Sequence, residues 1–322
     1  MEKLDSPLSF IDGHVLVSTA GYIGDTPPYQ GHIVMLNAKS GVIEHVWNSL
    51  CADRHELMEP KSCDDTQSAI WGRAGIVRDP ATGNLLFATG NGPYNGKTAW
   101  GDSLIMLNSS ATRVLGNWTT TNNAELNARD LDMGSTSPVL LGDGFIAQGG
   151  KDGTIRLLNM NLIKGTTPHQ GGELQVVDVP GKAQLLSASA TVKIGGTQYL
   201  FVSTGHGGTT VWTFGADHKL KEAWSSDTGG NSPFYAGGLL YIYDAPEGHL
   251  QIFDAATGKS VATLDCGNGH WNSAIVVDNR IALPEGVVRG FSFGNRGRGA
   301  PGAAAGGQGG IPTGIVNIWH LP

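Results

Sequence analysis

Along this chain short apolar runs alternate with polar turns at a two-residue period. Leu250 to Leu264 reads LQIFDAATGKSVATL, His32 to Trp47 reads HIVMLNAKSGVIEHVW, and Thr154 to Gly165 reads TIRLLNMNLIKG. In each phrase a strand of four to six residues ends in Asn or Asp, passes through a polar turn and re-enters a second strand. In the first phrase Ile252 alternates with Gln251 and Phe253, so both faces of that strand are expected to meet neighbouring sheets. Asp254 and Thr257 are expected to hydrogen-bond the turn backbone while Gly258 takes a positive φ.

Six such units begin near Ser6, Ser68, Ser137, Ser187, Ser232 and Ser273. Each carries three or four strand signals, which predicts an all-β chain of four-stranded antiparallel sheets stacked radially as the blades of a β-propeller. A blade alone leaves both faces bare, so each needs its neighbours. About six blades in one domain over residues 1–322 allow either a closed ring or an arc of a seven- or eight-bladed propeller. In the last unit, residues 296–310 read RGRGAPGAAAGGQGG, too poor in large apolar groups to pack, and predict a mobile loop inside that blade.

Composition agrees with many tight turns: there are 48 glycines, and charged residues make up 15% of the 322. The net charge is −7 without a basic run, which removes the electrostatic footprint that nucleic acids need. No apolar window is long enough to span a bilayer, and the opening MEKLDSPLSF carries neither the basic nor the apolar region of a signal peptide. Of three cysteines, Cys51 and Cys63 bracket a short polar loop, where a disulfide, two free thiols and a metal site are all open; Cys266 has no evident mate. A bridge would suit an oxidising compartment.

Ten histidines include no pair at metal-binding spacing, although His206 and His270 fall at corresponding blade edges and both are candidates to face the axial funnel. There is no nucleophile elbow, P-loop or dinucleotide fingerprint. Asn108 and Asn117 open glycosylation sequons of a kind that chance also produces.

The stretch Ser68 to Asn108, SAIWGRAGIVRDPATGNLLFATGNGPYNGKTAWGDSLIMLN, carries more than architecture. With Trp71-Gly72-Arg73, Asp79-Pro80, Thr89-Gly90-Asn91 and Gly101-Asp102 in order, it resembles the quinoprotein alcohol dehydrogenases and their polyvinyl-alcohol-dehydrogenase-like relatives. The next unit, DLDMGSTSPVLLGDGFIAQGGKDGTIRLLN from Asp130 to Asn159, continues the likeness through its D-x-D-x-G-x-x-x-P opening and its G-x-K-D-G turn. The other four units share only the general repeat.

The resemblance implies pyrroloquinoline quinone and calcium as cofactors at the propeller axis. It places Trp71 against the planar quinone, with Arg73 and Lys151 beside the cofactor. Asn91 and Asp102 would be calcium ligands, and Asp102 the general base that takes the alcohol proton. It implies a small or polymeric alcohol as substrate, an external electron acceptor, and a secreted or periplasmic location. The chain departs from that family in two features. It has no adjacent cysteines, and where the family carries a Gly-Ala-Glu segment the first unit reads Ala20-Gly21-Tyr22, with Asp25 the nearest carboxylate. A non-catalytic propeller that holds protein or ligand partners on the same repeat is the alternative expectation, and a hydrolase or lyase using the funnel a second.

Overall fold

The computed structural model describes residues 2–4, 6–22, 25–269, 271–286 and 314–320. The expected loop at residues 296–310 and His270 lie outside them. The chain builds six antiparallel sheets in sequence order. In blade 1, Glu2–Leu4 and Ser9–Ile11 both pair with His14–Gly21, followed by His32–Asn37 and Ile43–Asn48. Blade 2 comprises Val77–Arg78, Leu85–Ala88, Ser103–Leu107 and Val114–Thr119, and blade 3 Val139–Gly142, Phe145–Gln148, Thr154–Asn159 and Gln175–Asp178. Blade 4 runs from Ala190–Ile194 through Thr197–Thr204 and Gly208–Phe214 to Leu220–Ser226. Blade 5 comprises Phe234–Ala236, Leu239–Asp244, His249–Asp254 and Ser260–Asp265. The described part of blade 6 is Ile275–Val277, Arg280–Glu285 and Ile315–His320.

Strand alternation does what the sequence pattern requires. Ile252 packs into the cluster shared with blade 6 and Phe253 into the cluster shared with blade 4. Leu85 and Phe87 face blade 1, whereas Leu86 between them faces blade 3. Five apolar clusters therefore seal the five successive blade contacts, each built from alternate residues of two sheets. The turn chemistry also matches: Thr257 donates through N and Oγ1 to Asp254 Oδ1 at 2.9 and 2.7 Å, and Gly258 sits at φ +71°. In blades 3 to 6 the first strands of successive sheets touch one another, which identifies them as the hub-lining strands.

Among the described residues the series of apolar contacts runs from blade 1 to blade 6. Among the described residues no apolar cluster joins blade 6 to blade 1, and Phe10 of blade 1 and Ile318 of blade 6 are 71% and 60% exposed. Cys51 and Cys63 form a disulfide that ties down the loop after blade 1. Asn117 is fully buried and its Nδ2 donates to the carbonyls of Gly165 and Thr167, a position no glycan can occupy in the folded chain. No helix among the described residues is long and apolar enough to cross a membrane.

Candidate functional site

Three backbone segments meet at the hub end of blades 1 to 3: Ser68 to Gly72 leading into blade 2, the Thr89-Gly90-Asn91 turn, and Asp130 to Ser135 leading into blade 3. They are stitched by backbone bonds from Gly90 N to Ala69 O at 2.8 Å and from Ser68 N to Asn91 O at 2.6 Å. The approach is close enough that a Cβ on Gly90 would collide with the Asp132 carboxylate, and one on Gly101 with the carbonyl of Gly92. These glycines are what let the T-G-N and G-D turns nest.

A cavity of about 260 Å³ opens above this junction, lined by Asp25, Tyr29, Gln67, Ala69, Trp71, Asn91, Asn127, Asp130 and Asp132. Trp71 forms part of its wall, packed against Ala20, Tyr29, Ala69 and the edge of Leu186. Asn91 donates from Nδ2 to Asp130 Oδ1 at 2.9 Å, while its backbone N donates to Asp132 Oδ1 at 2.7 Å. Its own Oδ1 is buried without a hydrogen-bond partner. An unmet buried acceptor is costly and points to a cation or donor that completes it.

Lys151, from the G-K-D-G turn of blade 3, reaches this same place. Its Nζ donates to Asp130 Oδ1 at 3.0 Å, lies closer still to Asp132 Oδ2, and stands 5.2 Å from the centre of the Trp71 ring. Burial works against the ammonium, but the Asp132 and Asp130 carboxylates outweigh it and hold the Lys151 pKa above its ordinary value. The cavity is acidic, because Asp25, Asp130 and Asp132 line it against the single ammonium of Lys151. Burial first, and then Asp25, Asp132 and Asp130, push the Tyr29 phenol well above its ordinary pKa.

The structure brings together Trp71, Asn91 and Lys151 of the expected set. It does not bring Asp102 or Arg73 into the cavity. Asp102 is fully buried beneath the junction at φ +47°; its Oδ1 accepts from Met133 N at 2.9 Å and its Oδ2 has no partner. Burial, reinforced by Asp132, raises its pKa to about 8, so near neutrality it is mostly a neutral carboxyl. A group sealed in this way supports the turn below the cavity and is out of reach of a substrate hydroxyl. Arg73 instead has its guanidinium carbon 3.3 Å from the centre of the Trp271 ring, at the entry to blade 6. His206 is exposed in the turn after Thr204.

Asp130 and Asp132 carry no site role in the sequence reading although their D-x-D stands in the quoted motif. Asp130 is at φ +54° with a side chain 80% exposed toward the cavity, whereas Asp132 is almost wholly buried and bonded. A strand-opening motif reads as turn chemistry, and only the fold shows that it faces Asn91 and Lys151. Among the described residues no group of three or more His, Cys, Asp or Glu side chains is arranged to hold a metal ion; the Lys151 ammonium fills the space between the two carboxylates.

No family model and no curated protein matches the sequence. Solved structures do match the fold. The quinohemoprotein alcohol dehydrogenase from Comamonas testosteroni aligns with a TM-score of 0.62 at 14% identity, over 89% of this chain and 56% of that one. A europium-containing methanol dehydrogenase aligns with a TM-score of 0.61 at 14% identity, over 89% and 66%. BamB from Moraxella catarrhalis aligns with a TM-score of 0.53 at 12% identity, over 88% and 68%. At these identities the likeness shows the propeller fold alone, and the chain spans between 56% and 68% of the length of these proteins.

Proposed function

We propose that the cavity is the site of a quinoprotein-type oxidoreductase acting on an alcohol. The observation that carries this reading is the convergence of Trp71, Asn91, Asp130, Asp132 and Lys151 on one hub cavity. The fold shared with an alcohol dehydrogenase and a methanol dehydrogenase supports it.

The residues suit pyrroloquinoline quinone on one condition. Trp71 offers a flat aromatic face to a planar ring system, and Lys151 a cation to its oxygens. The quinone is a tricarboxylate, however, and the cavity wall is itself acidic. Binding therefore requires a hard cation alongside, and the unmet Asn91 Oδ1 with the carboxylates of Asp130 and Asp132 provides the oxygen donors such a cation prefers. Calcium and a lanthanide both meet this description, the second being the kind of ion named for the europium-containing relative. A cation there competes with the Lys151 ammonium for the same two carboxylates.

When bound, the quinone would supply the electron acceptor. Among this chain's own residues Asp130, exposed at the cavity and held by Asn91 and Lys151, is placed to take the hydroxyl proton of the alcohol, the role assigned to Asp102 by resemblance. Asp102 and Gly90 hold the turns that carry it. Electrons leave to an external acceptor. The Cys51 to Cys63 bridge favours a secreted or periplasmic setting.

The test is dye-linked alcohol oxidation by protein loaded with quinone and either calcium or a lanthanide. Activity in the wild type and in Asp102→Asn, with loss in Asp130→Asn, supports the assignment. Wild-type inactivity with both metals across short and polymeric alcohols refutes it.

A further inference from the structure

Two carboxylates at close quarters repel, and this chain keeps Asp130 and Asp132 together with a cation of its own. Lys151 Nζ donates to Asp130 Oδ1 at 3.0 Å and meets Asp132 Oδ2 as well. The Lys151 and Asp132 side chains are 12% and 10% exposed, so their pair is largely removed from water. The lysine is rooted beside the groups it serves, because its backbone N donates to the Asp132 carbonyl at 2.9 Å. Its four-carbon stem is free to turn about that root.

One acceptor is left over. Asn91 lines the cavity, is more than nine-tenths buried and gives its Nδ2 to Asp130, while its Oδ1 has no hydrogen-bond partner. An ammonium is a compact point charge with three donors, and here it satisfies the two carboxylates and leaves the amide oxygen unmet. A hard cation takes six or more oxygens and has use for all three groups. The lysine is therefore an incomplete occupant of a place better suited to a metal ion.

We infer that Lys151 is a tethered stand-in for the cation: it holds Asp130 and Asp132 in place in the metal-free chain and gives way when a hard cation enters. The inference rests on the cation site of the proposed oxidoreductase, and on neither the quinone nor turnover. Lys151 sets the threshold for entry. A monovalent ion replaces one unit charge with another, whereas a divalent or trivalent ion attracts the two carboxylates more strongly than the ammonium it displaces. The displaced ammonium is then available to an anionic ligand of the cavity.

The test uses terbium, a hard trivalent ion whose luminescence is excited through a nearby tryptophan, titrated into metal-free protein without quinone. Lys151→Met is expected to bind terbium at least about tenfold more tightly than the wild type, the lower end of what a close charge pair contributes, and Lys151→Arg to stay near the wild type. Asn91→Ala is expected to lose the binding. The second readout, acetylation of the wild type by an amine-directed reagent followed by peptide mass spectrometry, should find Lys151 protected without metal and labelled with terbium or calcium. Lys151→Met leaves Asp132 unpaired, so its metal-free melting temperature should fall and calcium should restore it; if that variant does not fold, the labelling decides alone. Equal affinity in the wild type and Lys151→Met overturns the inference, as does terbium binding that survives Asn91→Ala. Tighter binding with Lys151 still protected also overturns it, because the lysine would then repel the ion without yielding its place. If these results hold and the loaded protein oxidises no alcohol, the enzymatic reading fails and this one stands.

Discussion

Blades 2 and 3 and blades 4 and 5 are built on one plan and used differently. Both pairs have four-stranded sheets sealed by alternating apolar residues, but their hub-end loops diverge. Around blades 2 and 3 the loops bury Asn91, Asp102 and Asp132, and their backbones interlock. After Thr210 no polar or charged side chain among the described residues is buried, and His206 and Glu247 stand in exposed turns. Burying carboxylates is unfavourable unless they are paired or neutralised. Their concentration around blades 2 and 3 marks where folding free energy has been given up to hold polar groups in place. Blade 4 buries only the hydroxyls of Ser203, Thr204, Thr209 and Thr210.

This contrast can be broken in order of effect. Asp130→Asn, assayed with quinone and cation bound at saturation, is expected to lower alcohol turnover by about 10²–10⁴-fold, the usual worth of a positioned proton acceptor, with melting unchanged. A turnover loss that comes with unfolding would make Asp130 structural. Away from the site, Leu240→Ala empties part of the fully buried contact between blades 4 and 5 and should cost about 2–5 kcal/mol in denaturant unfolding, while cofactor affinity at the remaining folded fraction stays as in the wild type.

Gly90→Ala strains the junction directly, since its Cβ meets the Asp132 carboxylate; about 1–3 kcal/mol of stability and a disordered Lys151 to Asp132 pair are expected, read by melting and by NMR of the lysine ammonium.

Asp102 acts only through the pH dependence of stability, and the sign is fixed by burial. Its folded pKa, about 8, lies above the unfolded value, so the protonated form stabilises the fold. That contribution is complete below about pH 4 and is lost as the pH rises toward 8, at up to about 1.4 kcal/mol per pH unit. Asp102→Asn, neutral at every pH, should flatten this slope in unfolding curves taken across that window; an unchanged slope would mean that Asp102 is ionised in the folded chain.

Most of the architecture was legible in the sequence because it is written in local chemistry. The Asp254, Thr257 and Gly258 turn, the alternation of Ile252 and Phe253, and the unit starts from Ser6 to Ser273 each follow from neighbours in the chain. The site was half legible. Trp71, Asn91 and Lys151 stand in recognisable phrases and converge. Asp102 stands in one too, but its depth depends on how the Met133 turn folds over it, and depth decides whether a carboxylate is a base or a support. Asp130 was hidden in an opening motif whose meaning comes from Asn91 and Lys151, both distant in sequence. Arg73 meets Trp271, a partner at the entry to blade 6 that no local phrase points to.

The central claim is that the acidic cavity takes an anionic quinone only together with a hard cation held at Asn91, Asp130 and Asp132. Equilibrium titration of pyrroloquinoline quinone, followed by quenching of tryptophan fluorescence, tests it most directly. Saturable quenching with calcium or a lanthanide, absent with chelator, in Trp71→Ala and in Asn91→Ala, is the predicted result. Quinone binding of equal strength with and without the cation, or no binding under either condition, would contradict it.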